Sequence, residues 1–231
     1  MEIKGLQKLT LLDYPGKVAT TVFTGGCNFR CPFCQNSDLV ISPKLNPTLS
    51  EESVLEHIEK HKKMLDGVCI SGGEPLLQQD LVRFILEIKR IGLLVKLDTN
   101  GHLFDKLRPI IEGRLVDSIA MDIKAAPENY GKLSGITNFD VKPILDSVDL
   151  IRTSGIDHEF RTTVVGDMHT EYDFECIGEW LSGEAHYFLQ KFVDSGALIE
   201  DGHSPADDQT MHRYLDIVKK KIPEARLRGI E

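Results

Sequence analysis

"TLSEESVLEHIEKHKKMLDGVCIS", residues 48–71, decides the fold class. It opens with Thr48 and Glu51 at capping-box spacing and reads as a helix. It closes on "GVCIS" (67–71), a short apolar run that reads as a buried strand. The alternation extends both ways. Upstream, "KVATTVF" (17–23) is short and β-branched, hence a strand. Downstream, "DLVRFILEIKRIG" (80–92) sets Leu81, Phe84, Ile85 and Ile88 on one helical face and stops at Gly92. Strand "LLVKLD" (93–98), a helix near 103–112, strand "VDSIAMDIK" (116–124) and a helix near 140–153 follow. Strands "HEFRTTVV" (158–165) and "HYFLQKF" (186–192), a helix near 171–182 between them, and a last helix in "DDQTMHRYLDIVKKKI" (207–222) complete the series. Strands alternating with helices imply right-handed crossovers and a parallel sheet. Six such units predict one α/β domain, either an open doubly wound sheet or an incomplete barrel.

Composition narrows the class. The chain has 231 residues, 41% hydrophobic and 27% charged, with a formal net charge of −9. That length can bury a sizeable core. The acidic balance argues against a nucleic-acid partner, which favours a basic face. The lysines of "IVKKKIPEARLRG" read as the solvated end of a helix. No apolar run approaches the roughly 20 residues that span a bilayer, so no membrane association is expected. The start, "MEIKGLQKLTLLDYPGK", lacks the features of a signal peptide, and a cytoplasmic location is expected, where thiols stay reduced.

The polar signatures fall in one kind of place. Three cysteines follow the first predicted strand, "SGGEP" the second, "DTNG" the third, and "DIK" ends the fourth. All are carboxyl ends of parallel strands, the rim where barrels and open α/β sheets put their chemistry.

The cysteines stand in "GGCNFRCPFCQNSD" (25–38) as Cys27, Cys31 and Cys34, three of the five in the chain. Soft thiolates select zinc, copper(I) or iron–sulfur clusters. A structural zinc site closes four positions, usually from two separated ligand pairs; His57 and His61 are candidates for a fourth ligand, although their helical spacing suggests that they face solvent. One tight C-x3-C-x2-C triplet suits a four-iron cluster better, with one iron left without a protein ligand. Cys69, within "GVCIS", and Cys176, in "EYDFECIGEWL", read as small buried apolar residues. Two such residues cannot ligate a second cluster.

"CNFRCPFC" followed by "SGGEP" resembles the radical S-adenosylmethionine enzymes, over about residues 10–192. The resemblance implies a partial (β/α)6 TIM-type barrel of parallel strands, in agreement with the six units. It makes the whole of 1–231 a single radical SAM domain, with its core at about 17–192 and a helical C-terminal extension over 193–231. Within that superfamily, "LLDYPGKVATTVFTGGCNFRCPFCQN", "LDTNGH" and "MDIKA" are similar to segments of glycyl-radical-enzyme activating proteins, including the pyruvate formate-lyase activating enzymes. "DYPGK" before the cysteines most resembles the anaerobic ribonucleoside-triphosphate reductase activating proteins.

The resemblance implies one [4Fe-4S] cluster on Cys27, Cys31 and Cys34, with S-adenosyl-L-methionine chelating the open iron through its amino and carboxylate groups. One electron then cleaves the sulfonium bond, and the resulting 5′-deoxyadenosyl radical takes hydrogen from a glycine of the partner. Beyond the cluster and cofactor, no catalytic side chain is expected. Gly72, Gly73 and Glu74 match the motif that receives the methionine amino group, and Phe33 the aromatic whose backbone lies near the adenine. Asp98, Thr99 and Asp122 match positions that bind a monovalent cation; read only as a turn, "DTNG" is built on Asn100-Gly101. Lys124 and Arg161 are placed to meet the cofactor's carboxylate or ribose, or are surface cations. In two places the chain departs from the family: Phe192 stands where formate-lyase activases carry a histidine, and Gln35 replaces the histidine usual after the third cysteine.

The expected partners are a glycyl radical enzyme, most closely an anaerobic ribonucleoside-triphosphate reductase, and a flavodoxin- or ferredoxin-type electron donor. A formate-lyase-type activase and a stand-alone radical enzyme acting on a small molecule are the alternatives. A non-catalytic metal-binding protein is a third, disfavoured by the triplet and Gly-Gly-Glu-Pro together. The short stretch past the sixth strand favours an activase, since a protein substrate can itself cover the barrel mouth.

Overall fold

The computed structural model describes residues 1–194 and 196–230. The elements are β1 (Ile3–Thr10), β2 (Ala19–Thr24), α1 (Ser37–Ile41), α2 (Glu51–His61), β3 (Gly67–Gly72), α3 (Leu81–Ile91), β4 (Leu94–Thr99), α4 (Phe104–Glu112), β5 (Ser118–Asp122), α5 (Tyr130–Ser134), α6 (Lys142–Thr153), β6 (Asp157–Val164), α7 (Glu171–Trp180), β7 (Tyr187–Lys191), α8 (Asp208–Lys219) and β8 (Arg226–Arg228). The strands form a mostly parallel eight-stranded sheet in chain order, β1 to β8. This mixed α/β architecture agrees with the expected partial barrel. No helix among the described residues is long and apolar enough to cross a membrane.

The six expected strands are present, and two more flank them. β1 pairs antiparallel with β2 through an irregular register. Its lysines and Gly5 hide it from a hydrophobic pattern, as charged and irregular edge strands do. β8 pairs in parallel with β7 and is only three residues long, below the length at which alternation is readable.

The chain divides into two compact units. In the first (Met1–Asn28, Asp38–Ala120, Pro143–His158), β3 reads "GVCISG", and Val68, Cys69 and Ile70 are fully buried. That continuous burial marks a strand covered on both faces. The α3 stripe of Leu81, Phe84, Ile85 and Ile88 is buried as expected, and Gly92 caps the helix with φ 94° in the left-handed region. In the second unit (Phe29–Ser37, Met121–Lys142, Glu159–Glu231), α7 and α8 pack through Phe174 and Tyr214, whose rings stack 4.3 Å apart.

Two local readings are corrected. The N-cap of α2 is Ser50, whose side chain accepts from the Ser53 amide at 3.2 Å. Thr48 instead accepts from the Lys4 ammonium at 2.7 Å, so no Thr48–Glu51 box forms. Cys176 is only half-buried, because the buried face of α7 is made by Asp173, Phe174, Ile177 and Gly178.

The capping correction is testable by urea unfolding. Ser50→Ala is expected to cost about 1 kcal/mol, the usual worth of an N-cap hydroxyl, and Thr48→Ala distinctly less. Equal costs would restore the Thr48 cap.

Candidate active site

In the first unit the site begins where β2 ends. Gly73 donates its amide to the Thr24 carbonyl and Glu74 donates to the Gly26 carbonyl, both at 2.8 Å. The strip after β3 is thus zipped to the backbone just before Cys27. This approach leaves no room for side chains. Gly72 sits at φ 107°, and a Cβ there would lie 2.5 Å from the Thr24 nitrogen; a Cβ on Gly73 would overlap the Gly26 carbonyl oxygen. The glycines are therefore demanded by the chain itself, in addition to any close approach of a ligand.

Glu74 is buried, 1% exposed. Its Oε1 accepts from the Leu76 amide at 3.0 Å and the Thr99 hydroxyl at 2.9 Å, and its Oε2 from the Asn100 amide at 2.8 Å. One carboxylate thereby ties the β3 loop to the end of β4. Asp98 takes the Lys96 ammonium on Oδ1 at 2.5 Å and the Ser71 hydroxyl on Oδ2 at 3.1 Å. The Asn100 side chain donates to Asn28 Oδ1 at 2.9 Å and reaches the Cys27 sulfur at 3.8 Å. Gly101, at φ 74°, completes the expected turn.

In the second unit the rest of the cysteine loop is held from two sides. The Arg30 amide donates to the Ser134 carbonyl at 2.8 Å. A Cβ on Gly135, at φ 69°, would overlap the Arg30 carbonyl oxygen. Phe29 meets Phe139 edge-on, and Phe139 stacks on Tyr130. On the other side, the Glu200 amide donates to the Pro32 carbonyl at 2.9 Å, Gln35 Nε2 to the Val193 carbonyl at 2.5 Å, and the Ser37 hydroxyl to the Ala197 carbonyl at 2.7 Å. Gln35, the departure noted above, thus fastens the segment after β7 to this loop. Phe33 is buried edge-on against Phe192, ring centroids 6.4 Å apart, and props the loop from beneath.

The charges follow burial and pairing. Burial pushes the Cys31 thiol up to about 11, although the Lys124 charge opposes it; burial also raises Cys34. Burial alone would raise Asp122 too, but Lys124 and Arg161 prevail and hold it well below the usual carboxylate range. Lys124 Nζ lies 3.0 Å from Asp122 Oδ2 and Arg161 Nε 2.8 Å from Oδ1. Asp98 and Asp122, the two carboxylates among the three expected cation ligands, are thus each compensated within their own unit by basic side chains. Among the described residues, no three His, Cys, Asp or Glu side chains are gathered about one point as ligands for a single ion. His57 and His61 are half-buried against each other, ring centroids 4.3 Å apart.

An iron–sulfur cluster suits what is present: soft donors on one loop, an amide aimed at the Cys27 sulfur, and the half-buried Lys124 ammonium, whose charge favours thiolate at Cys31. Hydrogen bonds to sulfur and nearby charge are the usual levers on such clusters. Sequence reasoning missed Lys96, Asn100 and Asn28. Lys96 had a signal, since it stands two before Asp98 on a strand and so shares its face. Asn100 was read only as a turn residue.

A family model described as the radical SAM superfamily matches residues 21–181. The chain is 32% identical, over 99% of its length and 96% of the other, to a Methanocaldococcus jannaschii protein named provisionally as a glycyl-radical enzyme activating enzyme. It is 32% identical to the pyruvate formate-lyase-activating enzyme of Listeria monocytogenes over 65% of this chain and 63% of that one. Among solved structures, Streptococcus suis SuiB bound to precursor peptide SuiA superposes with a TM-score of 0.71 over 91% of this chain and 48% of that one; at 11% identity the likeness is of fold alone.

The seating of the loop can be tested with two alanines. Gly135→Ala is expected to cost on the order of 2 kcal/mol, within the usual range for a strained core substitution, and to lower iron uptake on anaerobic reconstitution. Gly183→Ala has a similar φ of 81° but nothing within 4 Å of the new Cβ, and should keep wild-type iron content. Equal iron uptake by both variants would refute the contact at Arg30.

Proposed function

The chain belongs to the radical SAM superfamily, and from that premise we propose that it activates a glycyl-radical enzyme. Membership implies a [4Fe-4S] cluster and S-adenosyl-L-methionine, and an oxidoreductase chemistry. When bound, these groups supply a one-electron reductive cleavage whose radical product takes a hydrogen atom from the α-carbon of a glycine. The observation that carries the activase reading is the end-to-end match to a relative named for that activity. Support goes to the formate-lyase branch, whose activating enzymes are among the relatives. The ribonucleotide reductase partner suggested by "DYPGK" has no comparable support.

Within this reading, Cys27, Cys31 and Cys34 hold the cluster. Gly72 and Gly73 bring the β3 loop close to it, and Glu74 locks that loop to β4, so that the strip can meet the methionine amino group. The main chain at Phe33 flanks the adenine, while its ring stays in the core. Lys124 and Arg161, both anchored on Asp122, present positive charge to the cofactor's carboxylate and ribose. Asp98, Thr99 and Asp122 offer oxygens to a monovalent cation, with Lys96 sharing the charge of Asp98. A flavodoxin- or ferredoxin-type protein serves as electron donor, and 1–231 acts as one catalytic domain.

Anaerobically reconstituted, reduced protein is expected to convert S-adenosylmethionine to 5′-deoxyadenosine, and Cys31→Ala to fall to background, since two remaining thiolates hold a cluster poorly. Mixed with formate-lyase-type glycyl-radical enzymes, it should generate the doublet glycyl signal in electron paramagnetic resonance. Full cleavage by the Cys31 variant would overturn the cluster assignment. Turnover of a free metabolite, with no glycyl signal on any such enzyme, would replace the activase reading by the small-molecule one.

A further inference from the structure

The last strand is joined to the candidate site by a line of alternating charges. Arg228 of β8 lies over the Phe188 ring, its guanidinium carbon 3.5 Å from the centroid. It donates Nη1 to Glu159 Oε1 at 3.1 Å and Nη2 to Oε2 at 2.7 Å. Glu159 is buried at 7% exposure, and its Oε1 also stands 3.8 Å from Arg161 Nη1. Arg161 in turn donates Nε to Asp122 Oδ1 at 2.8 Å, and Asp122 Oδ2 takes Lys124 at 3.0 Å. From β8 inward the order is Arg228, Glu159, Arg161, Asp122, Lys124, with strictly alternating sign.

Glu159 divides its charge unequally between the two arginines. The two-pronged bond from Arg228, on a guanidinium already fixed by the aromatic face, occupies both carboxylate oxygens. Arg161 is left outside hydrogen-bond distance of Glu159 and keeps its Nε–H on Asp122. Without Arg228, the ion-pair partner remaining to Glu159 among the described residues is Arg161. A buried carboxylate stripped of its cation is costly, so it would draw the Arg161 guanidinium onto itself.

We propose that Arg228 is a positioning residue for the cofactor: by neutralising the charge of Glu159 it holds Arg161 on Asp122, in the orientation that meets the bound nucleotide. This rests on the reading of Arg161 given above. The C-terminal strand then sets the shape of the site from a distance, through one shared carboxylate.

The test is a sign reversal, read as the Kd for S-adenosylmethionine on the reconstituted holoenzyme by equilibrium dialysis, with thermal melts as a control for folding. Arg228→Gln is expected to weaken binding about tenfold, the equivalent of roughly 1.4 kcal/mol. Adding Glu159→Gln to it should restore binding to within about threefold, because a neutral amide no longer competes for Arg161. A purely structural role would make the double variant bind at least as weakly as Arg228→Gln, and that result overturns the proposal. Arg161→Gln separates the two layers. If it binds weakly while Arg228→Gln binds normally, only the relay falls. If Arg161→Gln itself binds like wild type, the cofactor role of Arg161 falls, and the relay with it.

Discussion

Everything at the candidate site depends on how closely backbone can approach backbone around the cysteine loop. In the first unit Gly73 meets the Gly26 carbonyl, and in the second Gly135 meets the Arg30 carbonyl; in each case a single Cβ would overlap the oxygen. A loop carrying three sulfur donors within eight residues has little regular structure of its own. Its geometry must be imposed by neighbours, and a carbonyl gripped at both ends of the Cys27–Cys31 stretch imposes it without side chains that would crowd a ligand. The amides of Glu74 and Glu200, donating to Gly26 and Pro32, add direction to that grip.

Charge is handled with comparable economy. Asp98, Asp122 and Glu159 are carboxylates at or near the site, and each is matched by lysine or arginine within its own compact unit. Pairing offsets the desolvation that would otherwise drive such groups neutral. The depressed pKa of Asp122 is the visible result: Lys124 and Arg161 outweigh a burial effect of opposite sign. Within each unit the charged groups are thus already oriented by their partners, the kind of preorganisation that electrostatic stabilisation requires.

Much of this was legible in the residues, for identifiable reasons. The alternation of "GVCIS", "LLVKLD" and the amphipathic α3 stripe is a strong periodic signal, and it placed six strands and their helices. The edge strands escaped because charge in β1 and brevity in β8 erase periodicity. The cap of α2 lies two residues past the expected one because Thr48 and Ser50 both carry capping hydroxyls, and only the path of the chain decides between them. That the cysteines follow β2, Gly-Gly-Glu-Pro follows β3 and "DTNG" closes β4 was legible from the strand pattern. That Gly72 and Gly73 are needed by the chain's own packing was not, since nothing local announces which distant carbonyl will come near. Asn100 beside the Cys27 sulfur, and Arg228 on Glu159, are long-range encounters of the same kind.

The proposed function stands on a four-iron cluster at Cys27, Cys31 and Cys34 with one iron open to the cofactor. Mössbauer spectroscopy of the anaerobically reconstituted protein, before and after adding S-adenosylmethionine, tests it most directly. About four irons per chain are expected as one [4Fe-4S] cluster, with the signal of a single iron shifting when the cofactor binds. One tightly held zinc, or a four-iron spectrum that ignores the cofactor, would contradict it.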